Sequence, residues 1–333
     1  MVVTENSMKL SPVFVCTLAV LTLFGCSRSE EPGKPSSEAV DIAPTDAIAT
    51  NPLLDAFFGD THVHTRYSLD AYVLGTRASP DDAYRFAKGA AIKHAAGFDM
   101  QINKPLDFLA VTDHGNFLGV MAEAAEGTGP LSQMEFAKAI RDVTKPDDIL
   151  PVFRALGPLM QAADENPDQS VLNDLDVARN AWQDTIAAAE RHNEPGTFTT
   201  FVAYEYTTRG GQAQNLHRNV IFRGSNVPDL PFSRLNSPNP EDLWQWMDAQ
   251  RELGIESLAI PHNSNGSDGW MFQTTRFDGS PQDSDYAIQR MRNEPVVENT
   301  QVKGTSDTHP LLSPNDEWAD FEIMPIRVGP PLS

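Results

Sequence analysis

Cysteine is almost absent from this chain. Its 333 residues include two, Cys16 and Cys26, both near the start, so the body that follows has no partner for a disulfide. It must hold itself by core packing and by what it binds. Long apolar runs are scarce too. The stretch Val13 to Phe24 is about a dozen residues, too short to span a bilayer and right for the core of a signal peptide. Basic side chains are also few: 25 Lys and Arg face 46 Asp and Glu, a formal net charge of −21. Such a surface repels a phosphate backbone and argues against nucleic acid as the partner. No internal repeat is found.

The leader has a defined end. Met8-Lys9 opens a short basic region, and Leu23-Phe24-Gly25-Cys26 closes the apolar core ahead of Ser27. This resembles a bacterial lipoprotein cleavage site with Cys26 as the lipidated residue; simple signal-peptide cleavage is the alternative, because Phe24 is unusual in that box. Residues 1–26 are thus expected to be a signal peptide. Residues 27–52, rich in Pro, Ser and Glu, bury too little surface to fold and read as a disordered tether. The expected protein is exported, a periplasmic or outer-membrane lipoprotein that meets the membrane only through Cys26. Residues 53–333 remain, enough for one α/β barrel domain or most of one.

What is present is histidine in chosen places. Residues 57–70 read F-F-G-D-T-H-V-H-T-R-Y-S-L-D, and on a strand the period of two puts His62 and His64 on one face, with Asp60 before and Asp70 behind. L-A-V-T-D-H-G at 109–115 ends an apolar run in Asp113 and His114. F-V-A-Y-E-Y at 201–206 places Glu205 at the end of another run; His217 begins H-R-N-V-I-F, and His262 ends L-A-I-P-H-N. Histidine is a common ligand and carboxylates complete hard or borderline sites. Parallel α/β barrels gather ligands in this way, at the C-terminal ends of several strands.

Taken together, D-T-H-V-H-T with S-L-D behind it, T-D-H, the isolated Glu205, the following His217 and P-H resemble the metal motifs of the polymerase-and-histidinol-phosphatase (PHP) superfamily. The wording of F-G-D-T-H-V-H-T, V-T-D-H-G and G-T-S-D-T-H-P-L-L-S-P-N-D-E-W-A-D-F-E is similar to one branch, domain-of-unknown-function family 3604, from about Leu53 onward. The resemblance implies a distorted parallel (β/α)7-type barrel holding two or three divalent cations (Zn, Mn or Fe). His62 and His64 would bind one, with Glu205 bridging to a neighbour; His114 and Asp70 would serve a second, His217 and His262 a third. Cations so placed activate a water and clamp ester oxygens. Asp113 and Asp60 read as acceptors orienting histidines. Arg66, Arg209 and Arg218 flank ligand positions and are expected to hold a small anionic substrate, with Glu205, Arg66 and Arg218 as the catalytic set. His94 and His192 are expected to be solvated in helical stretches.

In chain order, Pro80-Asp81-Asp82 opens a helix with Ala83, Phe86, Ala87, Ala90 and Ala91 at helical spacing, and Leu106 to Thr112 is a strand. The long interval before Glu205 carries helical patterns at Gln133–Val143, Pro151–Ala163 and Ser170–His192. The stripe Val171, Leu172, Leu175, Ala178, Trp182, Ile186 and Ala189 reads as core packing. Residues 130–195 are therefore expected to form a helical cap beside the site. Thr197–Tyr206 is a strand, Arg209-Gly210-Gly211 turns the chain, and His217–Phe222 returns it. Asn239 to Leu253 is a capped helix ended by Gly254, Ser257–Ile260 a strand, and Pro295–Glu298 another.

Ser306-Asp307-Thr308-His309 imitates a closing D-x-H ligand pair. Yet eight residues separate Glu298 from Asp307, too few for a parallel crossover. The expectation is that Asp307 lies in a loop, and that the barrel is incomplete at its C-terminus with a gap beside a first strand at Leu54–Gly59. The leading reading is a metal-dependent hydrolase of small phosphoesters. Hydrolysis of another ester, a lactone, an amide or a sulfate at the same site is one alternative; a truncated, non-catalytic metal-binding lipoprotein is the other.

Overall fold

The computed structural model describes residues 55–127, 129–143, 148–211, 214–306 and 309–320. The signal peptide, Cys26, the tether, Leu54 and Asp307 lie outside them. In chain order the elements are β1 (Gly59–Val63), α1 (Leu69–Val73), α2 (Pro80–Ala87), a short ribbon of β2 (Ile92–Lys93) and β3 (Asp99–Met100), then β4 (Phe108–Val111). Four helices follow: α3 (Val120–Glu126), α4 (Glu135–Arg141), α5 (Ile149–Glu165) and α6 (Leu175–His192). The second half holds β5 (Thr199–Tyr206), β6 (Arg218–Phe222), α7 (Pro240–Glu252), β7 (Ser257–Pro261) and α8 (Ser284–Asn293), closing with the ribbon β8 (Thr300–Gln301) and β9 (Gly304–Thr305). No helix among the described residues is long and apolar enough to cross a membrane.

The central sheet has the order β1-β4-β5-β6-β7. It is mixed and open, not the closed parallel barrel that the motifs suggest. β1, β4 and β5 are parallel; β6 runs antiparallel to β5 and to β7. The reason lies in the connection from Tyr206 to Arg218, which is too short for a helical crossover and so returns the chain beside the strand it has just left. The sheet also curls. Asn219 on β6 donates from Nδ2 to the Thr61 carbonyl of β1 at 2.9 Å, which a flat sheet, with three spacings of about 4.8 Å between those strands, would not allow.

Alternation along β5 divides the two faces. Val202, Tyr204 and Tyr206 point to the convex side, where they pack with Leu109, Val111, Val220, Phe222, Trp182 and Met247 under α2, α6 and α7. Phe201, Ala203 and Glu205 point inward, beside Ala110 and Ile221. Of these, Ala110 and Ala203 are small and leave room on the inner face. A second cluster, built on Tyr72, Met121, Phe136, Ile140, Val152 and Leu156, joins α1, α3, α4 and α5.

Local chemistry sets the helix starts. Ser79 and Asp82 form a reciprocal capping box with Pro80 at the first turn of α2. Asp174 accepts from the amides of Asp176 and Val177, which begins α6 at Leu175 rather than Ser170. Val171 and Leu175 of the expected stripe are consequently exposed, while Leu172, Trp182 and Ala189 are buried. From Pro130 to His192 the described residues hold helices only, but α6 packs on the sheet beside α2 and is part of the wall rather than a cap. Two strands differ from expectation. β1 begins at Gly59, where a Cβ would collide with Phe108, and Phe57 and Phe58 before it are exposed. Pro295–Glu298 is not a strand; it is a loop whose Glu298 amide donates to Pro261 O.

Candidate metal centre

The rim of the curled sheet collects what the sequence spaces apart. β1, β4, β5 and β7 all end there, and β6, running the other way, begins there. Hence His64, His114 and His262 follow their strands while His217 precedes its own. Backbone bonds fix the register: Glu205 N donates to Asp113 O at 2.9 Å, Gly115 N to Glu205 O at 2.9 Å, and His262 N to His217 O at 3.2 Å. An irregularity between Asp60 and Val63 interrupts the β1 ladder at His62. Two residues after ligand positions hold left-handed backbone, Asn263 at φ 55° and Phe117 at φ 60°; such strain gathers at functional sites.

Glu205 is the hub. Its side chain is 1 % exposed and five imidazoles face its two oxygens. Oε2 lies 2.8 Å from His64 Nε2 and 3.4 Å from His62 Nε2. Oε1 lies 2.7 Å from His217 Nδ1, 3.3 Å from His114 Nδ1 and 3.6 Å from His262 Nε2. Asp70 Oδ1 sits 3.3 Å from both His64 Nδ1 and His114 Nε2. Two sets of ligand atoms each lie within 4.8 Å internally: His62, Glu205 and His262, and His64, Asp70 and His114, which puts His62 and His64 in different sets rather than on one cation.

The donor set fits divalent cations better than it fits itself. His262 is 1 % exposed, and both its ring nitrogens are buried without a hydrogen-bond partner. A buried imidazole with two orphaned nitrogens is costly unless something else takes a lone pair. Burial raises the Glu205 pKa, but His114, His262 and His217 outweigh it and hold the carboxyl well below its usual range. Burial likewise opposes ionisation of Asp70, and His114 and His64 overcome it. Burial and the neighbouring His114 push His64 down, yet Asp70 and Glu205 bring it up to about 9; His114, against its own burial, rises to about 10 beside Glu205 and Asp70. His262 is depressed to about 4 and His217 is lowered, in both cases by burial first.

Hydroxyls orient the rings. Thr207 Oγ1 donates to Glu205 Oε1 at 2.9 Å and also bonds His114 Nδ1. Ser68 Oγ donates to Asp70 Oδ1 at 2.9 Å and lies 3.2 Å from His64 Nδ1. Neither hydroxyl stands out in the sequence, though each lies two residues from a ligand carboxylate. Glu298 is the larger omission: its Oε1 approaches His62 Nδ1 at 3.6 Å, and its Oε2 accepts from Asn263 N at 3.1 Å and from Gln301 Nε2. It arrives after the α8 excursion, from a loop that carries no ligand pattern.

Other expected roles are not supported. Arg218 is 2 % exposed and ion-paired with Glu294 on the convex side, because its neighbour Asn219 takes the inner face opposite Glu205. It cannot touch a substrate at the rim. Arg66 is engaged by Glu126, whereas Arg209, paired with Asp164 at 3.0 Å, stays on the wall of a separate cavity. Asp113 does not orient a histidine ring; it accepts from Thr65 N at 2.5 Å and Thr65 Oγ1 at 2.6 Å, clamping the turn after His64. Asp60 accepts from the backbone amide of His62 at 2.8 Å. His94 is exposed on a turn rather than a helix, and His192 is not solvated but lies 2.9 Å from Asp81. His309 is exposed, its Nδ1 accepting from Leu311 N.

No curated protein and no solved structure matches the chain. The model of one family, described as Protein of unknown function (DUF3604), matches residues 51–329. The histidine-rich rim and the sheet that carries it lie inside that span, and the chain belongs to the DUF3604 family.

Proposed function

We propose that this protein is a metal-dependent hydrolase of small phosphoesters, of the PHP type, exported and tethered to the cell envelope through Cys26. The observation that carries the reading is Glu205: a buried carboxylate ringed by five histidines, one of them with both nitrogens unpartnered. The curled sheet is read as the wall of a PHP-type barrel, its ligands on the rim where such sites lie.

His62, His262 and Glu205 would hold one divalent cation; His64, Asp70 and His114 a second. His217, 2.7 Å from Glu205 Oε1, is placed to serve a third. Zn, Mn or Fe suits this set of imidazoles and carboxylates. When bound, such cations polarise an ester oxygen and lower the pKa of a water. Each Glu205 oxygen faces both sets, Oε2 toward His62 and His64 and Oε1 toward His262, His114 and His217, and its charge would lessen the repulsion between neighbouring cations. Asp70 faces both His64 and His114 and keeps their rings turned inward. Thr207 occupies His114 Nδ1 and leaves Nε2 toward Asp70 and the open rim. Asp113 fixes the Thr65 turn, so His64 need not reorganise as substrate arrives.

The test is a metal count on purified protein alongside hydrolysis of a chromogenic phosphate, with and without chelator. Chelator-sensitive turnover and at least two cations per chain are expected. No bound metal would sink the reading. Stoichiometric metal without turnover of phosphate, sulfate, lactone or amide probes would leave a non-catalytic metal protein. Incorporation of labelled fatty acid, lost in Cys26→Ser, tests the anchor.

A further inference from the structure

A cavity of about 530 Å³ lies beside the exit of β5, lined by Asp164 near the end of α5, Thr208, Arg209, Arg234, Pro238 and Phe277, with Gly210 and Gly211 at its edge. That volume is in the range of small-ligand sites. Two guanidiniums share one carboxylate there. Asp164 Oδ2 is 3.0 Å from Arg209 Nη2, and Oδ1 is 2.8 Å from Arg234 Nε. One anion against two cations leaves a positive corner in a chain of net charge −21.

Arg234 is the informative member. Its side chain is 10 % exposed, its guanidinium lies 5.4 Å from the centre of the Phe117 ring, and its Nη2 is buried without an acceptor. Burial lowers its pKa despite Asp164, as expected for a cation with too little counter-charge. A guanidinium presents its N–H groups as a fork that matches carboxylate or phosphate oxygens. Here Nε is engaged by Asp164 and Nη2 is not engaged. The Thr208 hydroxyl already donates to Pro238 O at 2.7 Å, so the guanidiniums are the donors left for a ligand.

The cavity lining is joined to the metal centre along the chain at two places. Thr208 follows Thr207, which bonds His114 and Glu205. Phe117, under Arg234, comes three residues after His114. The geometry points to a subsite for a second oxyanion group of the substrate, held by Arg234 and Arg209 while the hydrolysable ester lies at the histidine cluster. The substrate class is then a small ester bearing a further carboxylate or phosphate. This rests on the hydrolase reading, and the two can fail separately.

The probes are acetate, planar, and sulfate, tetrahedral, titrated calorimetrically into metal-loaded and chelator-treated protein. Saturable binding of at least one is expected in both states, weakened tenfold or more by Arg234→Gln and by Gly211→Glu and kept by Gly211→Gln; the tighter probe tells which kind of group the subsite takes. A Cβ at Gly211 meets nothing within 4 Å, so the Gly211 variants stay informative if Arg234→Gln does not fold. Binding that disappears with chelator and ignores Gly211→Glu would put the anion on the metals and overturn the subsite. Absence of saturable binding would overturn it too. Turnover of phenyl phosphate and 4-carboxyphenyl phosphate is measured separately. Failure of both substrates sinks the hydrolase reading and leaves the binding result standing. Turnover of both, at a ratio unchanged in Gly211→Glu, sinks the subsite alone.

Discussion

At the scale of single residues, Glu205 decides most. A carboxylate this deeply buried stays ionised because His114, His262 and His217 surround it. Glu205→Gln keeps the shape and removes the charge, so metal affinity should fall more than a hundredfold. That exceeds the roughly 10–100-fold that losing an outer partner costs. Glu298→Gln should fall inside that outer range, because Glu298 meets His62 Nδ1 and not the opposite nitrogen that faces Glu205. Metal titration of both variants ranks them, and equal losses would remove the distinction. Protons give a second check. In the metal-free protein His64 and His114 hold protons up to about 9 and about 10, above the ordinary 6.5. Raised folded-state values mean that this stabilisation is fully present below pH 6.5 and is lost as pH rises through 9 to 10. A metal must displace those same protons, so its apparent affinity should climb with pH over that window. Calorimetric titrations at pH 7 in buffers of different ionisation heat should show proton release on loading; a buffer-independent heat would contradict these values.

At the scale of elements, the reversed strand matters most. β6 ties the sheet to α8 through Arg218 and Glu294, both 2 % exposed, and Glu294 also takes the Trp244 Nε1 proton at 2.8 Å and Arg290 Nε at 3.1 Å. Glu294→Ala leaves a buried guanidinium unpaired and should destabilise by about 3–5 kcal/mol, whereas replacing both partners with apolar residues should cost much less. Denaturation midpoints of the single and double variants read this, and metal content of the folded fraction should not change. The same strand marks the limit of sequence reading. Apolar runs that stop at a histidine are local patterns, so β1, β4, β5 and β7 and their ligands were visible in the chain. That Arg218 turns away from the rim follows only from the register of Asn219 against Glu205, a non-local fact. Phe57 and Phe58 look like core and are exposed, because β1 starts later, at Gly59. Glu298 ends a short apolar run in the sequence, yet its approach to His62 depends on the path of the whole α8 excursion. Local spacing reveals candidate ligands; it does not reveal which neighbour closes over them.

At the scale of the whole molecule, the proposed centre would also act as a clasp once loaded. Its candidate ligands come from β1, α1, the exits of β4, β5 and β7 and the entry of β6, so the described part of the sheet meets at one point. Residues 27–333 contain no cysteine to do this by a disulfide, and the open sheet leaves β1 and β7 as its outer strands among the described residues. A net charge of −21 adds self-repulsion, which divalent cations held inside would reduce. Cations that bind the folded state and not the unfolded chain stabilise by about 2.7 kcal/mol at a hundredfold excess over Kd. For a domain of this size, at about 2–4 °C per kcal/mol, chelation should lower Tm by roughly 5–10 °C. The same shift has a trivial explanation, because any strongly acidic surface gains from divalent counter-ions. The two differ in Glu205→Gln and in salt. If the clasp is responsible, Glu205→Gln should melt near the chelated wild type and gain little from added Mn or Zn, and raising NaCl should not restore the lost degrees. If the acidic surface is responsible, wild type and variant should gain alike from divalent ions, and salt that shortens the screening length to about 3 Å at 1 M should substitute for them. Scanning calorimetry of the two proteins across those conditions separates a structural metal centre from screening of the surface.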